Sequence, residues 1–143
     1  MCRLVGFVNY KKDVSSYKNV LCNMTASLQK RGPDELGYYI NDNVALGHRR
    51  LIVIDPDGGM QPMIETYSYG EYVIVYNGQI YNTKELRKTL IENGFEFSGH
   101  CDTEVLLKSF IHYGYDVPKH LNGIFSFAIW NTAKQELFLA RDH

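Results

Sequence analysis

The residue best suited to chemistry is Cys2, which follows the initiator methionine at the start of the apolar segment MCRLVGF. Free cysteine is often buried as a small apolar residue, so Cys2 could simply begin a buried strand. If Met1 is removed, Cys2 instead carries a thiol and a free α-amine on one residue. An α-amine with a pKa of about 7.7–8.0 can accept the proton of a thiol whose ordinary pKa is about 8.5. Position alone leaves both interpretations open.

Three further polar sites interrupt apolar segments. Asn77-Gly78 lies inside EYVIVYNGQIYN, where the pair is typical of a type I′ turn. Arg49-Arg50 lies inside VALGHRRLIVI; a basic pair usually marks a solvated face, yet the apolar neighbours indicate that at least one arginine is partly buried. Asp102 precedes an apolar helical pattern and predicts a helix N-cap.

The composition excludes several classes of function. The chain has 143 residues, 45% of them hydrophobic, and a formal net charge of -1, which gives no reason to expect a nucleic acid or membrane partner. The three cysteines form no CxxC motif, and the histidines do not lie at metal-ligand spacing. We therefore expect one cytoplasmic domain without a metal site or a membrane span.

The elements that must position these residues follow an α+β order. Helices are predicted from Ser15-Ser16 to Gly32-Pro33, from a capping box at Asn82 and Glu85 to Gly94, and from Asp102 to Gly114. Strands are predicted at 2–10, 37–41, 44–54, 71–82, 123–131 and 136–140. The segment 31–34, RGPD, is interpreted as a helix stop and turn without a catalytic role. Helices occur in runs rather than alternating with strands, which favours antiparallel sheets.

Several segments, taken in order, resemble the glutamine amidotransferase domain of glutamine-hydrolysing asparagine synthetases: MCRLVGF, RGPDELGYY, LGHRRLIVID, QPM, YNGQIYN, CDTEVLL and GIFSFAIWN. The resemblance covers the chain from Cys2 to Asp142. It implies a class II (type 2) domain of the N-terminal-nucleophile hydrolases, a four-layer αββα sandwich of antiparallel sheets. It also implies that the domain continues beyond residue 143, so we expect residues 1–143 to be truncated at the C-terminal end.

The resemblance also assigns roles to residues. Cys2 is the nucleophile, its α-amine is the base once Met1 is removed, and Asn77 and Gly78 form the oxyanion hole. Arg50 binds the glutamine α-carboxylate, whereas Arg49 is expected to face solvent. The following backbone is expected to line the pocket: Leu51, Ile52, Val53 and Ile54.

The α-ammonium group of glutamine is assigned to Asp102, with Gln79 nearby. The common family form has glutamate at the position of Gln79, and a neutral amide supplies a hydrogen-bond acceptor but no charge. Cys22 and Cys101 are expected to be structural, with Cys101 close to the pocket because it precedes Asp102.

By resemblance, the domain hydrolyses glutamine through a Cys2 thioester and passes ammonia to a C-terminal synthetase domain. That domain, which uses ATP and Mg²⁺, has an SGGxDS-type motif that this sequence lacks. No cofactor is expected in residues 1–143, and a homodimer is compatible with the resemblance. Two alternatives stay open: a related amidotransferase with another ammonia acceptor, and a non-catalytic glutamine-binding domain.

Overall fold

The computed structural model of the protein describes residues 2–52 and 59–143, which form two antiparallel sheets. The first sheet has the strand order β1-β3-β2, with β1 at Arg3–Val8, β2 at Glu35–Asn41 and β3 at Val44–Arg50. The second has the order β4-β5-β6-β7, with β4 at Met63–Tyr67, β5 at Gly70–Ile80, β6 at Gly123–Asn131 and β7 at Glu136–Arg141.

In the described part of the chain, three α-helices cover the outer faces of the sheets. Helix α1, Lys18–Ala26, packs on β1 and β3 of the first sheet. Helices α2, Thr83–Glu92, and α3, Asp102–Tyr113, contact each other, and α3 packs on β4 and β5 of the second sheet. None of these helices, within the ranges given above, is long and apolar enough to cross a membrane.

Three apolar clusters hold four layers together. One, built on Val14, Leu21 and Ala45, lies between α1 and the first sheet. The second lies between the sheets and contains Val44, Leu46, Val73, Val75, Ala128 and Trp130. The third joins the second sheet to α2 and α3, with Leu90, Leu106 and Phe127 among its fully buried members. This confirms the predicted αββα sandwich.

Side-chain alternation along β3 determines which arginine faces the interior. Successive residues of a strand point to opposite faces. Val44 and Leu46 face the second sheet, so His48 and Arg50 share their side, and both are buried. Arg49 points the other way, and its Nε donates to the backbone oxygen of Thr25 in α1 at 3.4 Å. Arg49 is half-buried against α1 rather than turned fully to solvent, which corrects the expectation.

The bounds of α1 and the capping of α2 differ from the sequence prediction. A 3₁₀ turn at Ser15–Tyr17 precedes α1, which ends at Ala26, well before Gly32-Pro33. No serine side chain caps this helix. The predicted capping box is also wrong, because the Asn82 side chain donates to His120 O and accepts from Asn122 N–H instead. The Asn82 side chain therefore forms hydrogen bonds to residues distant in sequence instead of capping its own helix.

Two elements were missed. Strand β4 precedes the turn into β5, and the only local signal for it is the β-branched and aromatic content of its sequence, MIETY. A 3₁₀ helix at Gly114–His120 follows α3. The prediction that a strand lies at 71–82 is confirmed, but Asn77-Gly78 does not break it, because β5 pairs with β6 without interruption through both residues.

Candidate active site

One cavity of about 290 Å³ opens where the two sheets meet the N-terminus of α3. It is lined by residues from both sheets, from α3 and from the segment before β4: Cys2, Arg50, Leu51, Gly59, Gln61, Tyr76, Asn77, Gly78, Gln79, Cys101, Asp102, Thr103 and Ile124. Most predicted site residues, far apart in the sequence, are therefore neighbours here.

The thiol of Cys2 is held against the backbone of Leu51. Cys2 Sγ donates to Leu51 O at 3.6 Å and accepts from Leu51 N–H at 3.4 Å. The peptide groups on either side of Leu51 are fixed by Asp34, whose N–H donates to Arg50 O at 3.0 Å and whose Oδ2 accepts from Ile52 N–H at 2.7 Å. The RGPD turn thus supports the backbone that holds the sulfur.

Arg50 contributes a buried cation to the cavity. Its exposed fraction is 5%, and its Nη1 donates to Glu35 Oε2 at 2.8 Å. The two residues are directly opposed across β2 and β3. Gly59 lies against the guanidinium, because a Cβ on Gly59 would come within 3.2 Å of Arg50 Nη2. The ion pair and the glycine keep the planar group in one orientation.

Asn77 and Gly78 lie on β5 within an intact ladder, so the type I′ turn is ruled out. Gly78 has φ 154°, and a Cβ there would collide with the backbone oxygen of Ile124 on β6. Only glycine fits this approach of two backbones. Both residues line the cavity, Gly78 on the exposed part of the strand.

Asp102 is the first residue of α3, and Cys101, not Asp102, occupies the N-cap position. The Asp102 side chain makes no cap bond. Its Oδ2 instead accepts from the Tyr76 hydroxyl at 2.7 Å and from Ile80 N–H at 3.4 Å. Burial and the neighbouring carboxylate raise the pKa of Tyr76 well above its usual range, so the hydroxyl stays protonated and donates.

The backbone of Tyr76 is held by two buried side chains. Its N–H donates to Gln61 Oε1 at 2.5 Å, and its carbonyl oxygen lies 2.9 Å from His48 Nε2. Burial lowers the pKa of His48 to about 4, so the ring is neutral at neutral pH and Nε2–H is the donor. His48 therefore links the first sheet to the second directly beside the cavity.

The predicted residues that line the cavity are Cys2, Arg50, Leu51, Asn77, Gly78, Gln79 and Asp102. Ile52 is half-buried and does not belong to the lining. Val53, Ile54 and Met1 lie outside the described residues. Cys101 also lines the cavity, as its place beside Asp102 suggested.

Four residues that support the site were missed by sequence reasoning: Tyr76, Gln61, His48 and Glu35. A tyrosine in an apolar strand needs a partner for its hydroxyl, which was the available signal for Tyr76. Gln61 and Glu35 act through long-range contacts, Gln61 on β5 and Glu35 on Arg50. No local pattern indicates either contact.

The arrangement has the parts needed for attack on an amide. A thiol, backbone and side-chain amides, a buried guanidinium and a carboxylate face one volume. The guanidinium and carboxylate have opposite charges, as required to bind the carboxylate and ammonium of an α-amino acid.

Comparison with known proteins agrees with this geometry. A glutamine amidotransferase domain family matches residues 1–143. The chain is 46% identical over 142 residues to glutamine-hydrolyzing asparagine synthetase 3 of Bacillus subtilis (strain 168), covering 99% of the chain and 23% of that protein. It is 31% identical to asparagine synthetase B of Escherichia coli (strain K12), covering 100% of the chain and 25% of that protein. The chain thus spans about a quarter of the length of these relatives.

Solved structures show the same fold. The allosteric regulatory enzyme of purine biosynthesis aligns with a TM-score of 0.61 at 24% identity, over 72% of this chain and 24% of the other. Glutamine phosphoribosylpyrophosphate amidotransferase from B. subtilis aligns with a TM-score of 0.59 at 23% identity. At these identities the likeness concerns the fold alone. With a family match over its whole length, the chain belongs to the glutamine amidotransferase domain family.

Proposed function

We propose that residues 1–143 are the glutamine-hydrolysing part of an asparagine synthetase and release ammonia from glutamine through a thioester on Cys2. The observation that supports this best is the convergence of Cys2, Arg50, Asn77, Gly78 and Asp102 on one cavity. Residues from two sheets and a helix meet there, and each has the chemistry that amide hydrolysis needs.

The proposed reaction begins after removal of Met1. The α-amine of Cys2 takes the thiol proton, and the sulfur attacks the side-chain carbonyl carbon of glutamine. The resulting oxyanion accepts hydrogen bonds from the Asn77 amide and the Gly78 N–H. The protonated amine then gives its proton to the leaving nitrogen, and ammonia departs. Water adds to the thioester with the amine again as base, which yields glutamate and regenerates the thiol.

Substrate binding uses the two fixed charges. The Arg50 guanidinium pairs with the α-carboxylate, and Asp102 pairs with the α-ammonium. Gln79 accepts a hydrogen bond from the ammonium but adds no charge, so Asp102 carries most of the recognition of that group. Leu51 lines the same pocket beside Cys2.

In the whole protein, we propose that ammonia reaches a C-terminal synthetase domain that uses ATP and Mg²⁺ to convert aspartate to asparagine. The B. subtilis and E. coli relatives are asparagine synthetases by name, which supports asparagine as the product. A different ammonia acceptor is the second candidate, since residues 1–143 contain no acceptor-binding domain. An odd cysteine count argues against a disulfide framework, which favours the cytoplasm as the compartment. The proposal includes a homodimer on the resemblance alone.

The test uses the complete protein with Met1 removed, verified by intact mass. Cys2→Ala should abolish glutamate release from glutamine while asparagine synthesis from added ammonia continues, and Cys22→Ala should change neither rate. Protein that retains Met1 should hydrolyse glutamine at least ~10²-fold more slowly, because its Cys2 nitrogen is an amide without a basic lone pair. Equal glutaminase rates in Cys2→Ala and wild type would refute the proposal.

A further inference from the structure

Tyr76 joins two parts of the site that the proposed reaction treats as separate. It immediately precedes Asn77 on β5, and its side chain, 3% exposed, lies on the face that packs against α3. There its hydroxyl reaches the Asp102 carboxylate. One residue therefore contacts the group assigned to the substrate ammonium and is covalently joined to the group assigned to the oxyanion.

The backbone of Tyr76 cannot shift easily. The N–H and carbonyl of one strand residue point to the same side, and here both point away from β6. Strand β4, which pairs with β5 only as far as Met63 and Ile74, has ended at this point. The side chains of Gln61 and His48 replace the missing strand, so both backbone groups are satisfied by buried partners.

The contacts of Asp102 are distributed unevenly between its two oxygens. The Tyr76 hydroxyl and the Ile80 N–H both donate to Oδ2. Within residues 2–52 and 59–143, Oδ1 has no hydrogen-bond donor from the protein. Asp102 lines the cavity and is half-buried. The carboxylate is thus anchored through one oxygen and has the other available to a ligand.

We infer that Tyr76 is a positioning residue for substrate recognition: its hydroxyl fixes Asp102 Oδ2, so that Oδ1 is presented to the α-ammonium group of glutamine. The inference rests on the proposed glutaminase function. Tyr76 does not itself touch the reacting atoms. Its effect reaches the substrate through Asp102, so loss of the hydroxyl should weaken recognition of the ammonium and leave the chemical step intact.

The experiment compares Tyr76→Phe with wild type in the complete, processed protein. Removal of one hydrogen bond to a charged group should raise the KM for glutamine about tenfold while kcat changes by less than about threefold. Tyr72→Phe is the matched control, because Tyr72 lies on the same face of β5 but packs against Phe110, away from the cavity. Its KM should equal that of wild type.

A substrate without the α-amino group separates positioning from a general structural effect. Glutaramate, the monoamide of glutaric acid, keeps the carboxylate and the scissile amide but has no ammonium group to pair with Asp102. Its kcat/KM should be the same in wild type and Tyr76→Phe, and Asp102→Asn combined with Tyr76→Phe should raise the glutamine KM no more than Asp102→Asn alone. Replacement of Tyr76 by 3,5-difluorotyrosine keeps the ring and changes the strength of the hydrogen bond that the hydroxyl donates to Asp102. It should therefore alter the KM for glutamine and leave the KM for glutaramate unchanged.

The outcomes distinguish the inference from the function on which it rests. An active wild type with an unchanged glutamine KM in Tyr76→Phe, or an equal loss of kcat/KM on glutamine and glutaramate, would overturn the role of Tyr76 alone. A processed wild type that releases no glutamate would overturn the proposed function and the inference with it.

Discussion

Replacing His48 by glutamine should make the second sheet less sensitive to acid. The His48 ring is 1% exposed, and its Nε2 donates to the Tyr76 carbonyl at 2.9 Å. Glutamine places an amide N–H near the position of Nε2, so it can keep this bond. Unlike histidine, it does not gain a proton at low pH.

The magnitude follows from the pKa of the buried ring. Burial lowers the pKa of His48 from 6.5 to about 4. Between these pH values the unfolded chain binds a proton on His48 that the folded chain does not bind. The unfolding free energy therefore has its full value above pH 6.5 and falls as the pH drops to 4. A shift of about 2.5 units corresponds to about 3 kcal/mol of unfolding free energy. His48→Gln should lose about 3 kcal/mol less than wild type over this range.

Hydrogen–deuterium exchange of residues 70–80 in the complete protein measures this difference. After correction for intrinsic exchange, the opening free energy of β5 should fall with acid more steeply in wild type than in His48→Gln. His100→Gln, at an exposed position, controls for the loss of one histidine. Parallel pH dependences in wild type and His48→Gln would show that the ring is not held neutral by burial.

Two further predictions concern the site. Arg50→Lys should raise the glutamine KM tenfold or more in steady-state assays, because lysine keeps the charge but loses the planar fork, whereas Arg49→Lys should change it little; the opposite ranking would refute the assignment along β3. Gly78→Ala should lower the glutaminase rate by about 10² or more, because its Cβ meets the Ile124 oxygen. Gly94 also has a positive φ, but a Cβ there would meet no atom within 4 Å, so Gly94→Ala should lose some stability and keep the wild-type glutaminase rate. Equal glutaminase rates in Gly78→Ala and Gly94→Ala would refute the argument from close backbone approach.

The sequence was most informative where a local pattern has one physical meaning. The strands predicted at 37–41 and 44–54 are found as the antiparallel neighbours β2 and β3, and Gly114 was correctly predicted to end α3. The resemblance supplied the site residues, since no periodicity could bring Cys2 and Asn77 together. Cap predictions were wrong at Asn82 and Asp102 because their side chains bond to distant groups. Such contacts depend on tertiary packing, which local propensity does not contain.

The placement of the site across two sheets has a mechanical consequence. Cys2 directly precedes β1 and Arg50 ends β3, both of the first sheet, whereas Asn77 and Gly78 belong to the second. The hydrogen-bond ladders fix positions within each sheet, but the distance from the Cys2 sulfur to the proposed oxyanion donors depends on how one sheet lies over the other. That alignment is set by the apolar cluster of Leu46, Val73 and Trp130 and by the His48 bridge. A small shear between the layers would separate the proposed nucleophile from the proposed oxyanion hole with every strand intact, so the glutaminase rate should fall with interlayer misalignment before any secondary structure is lost.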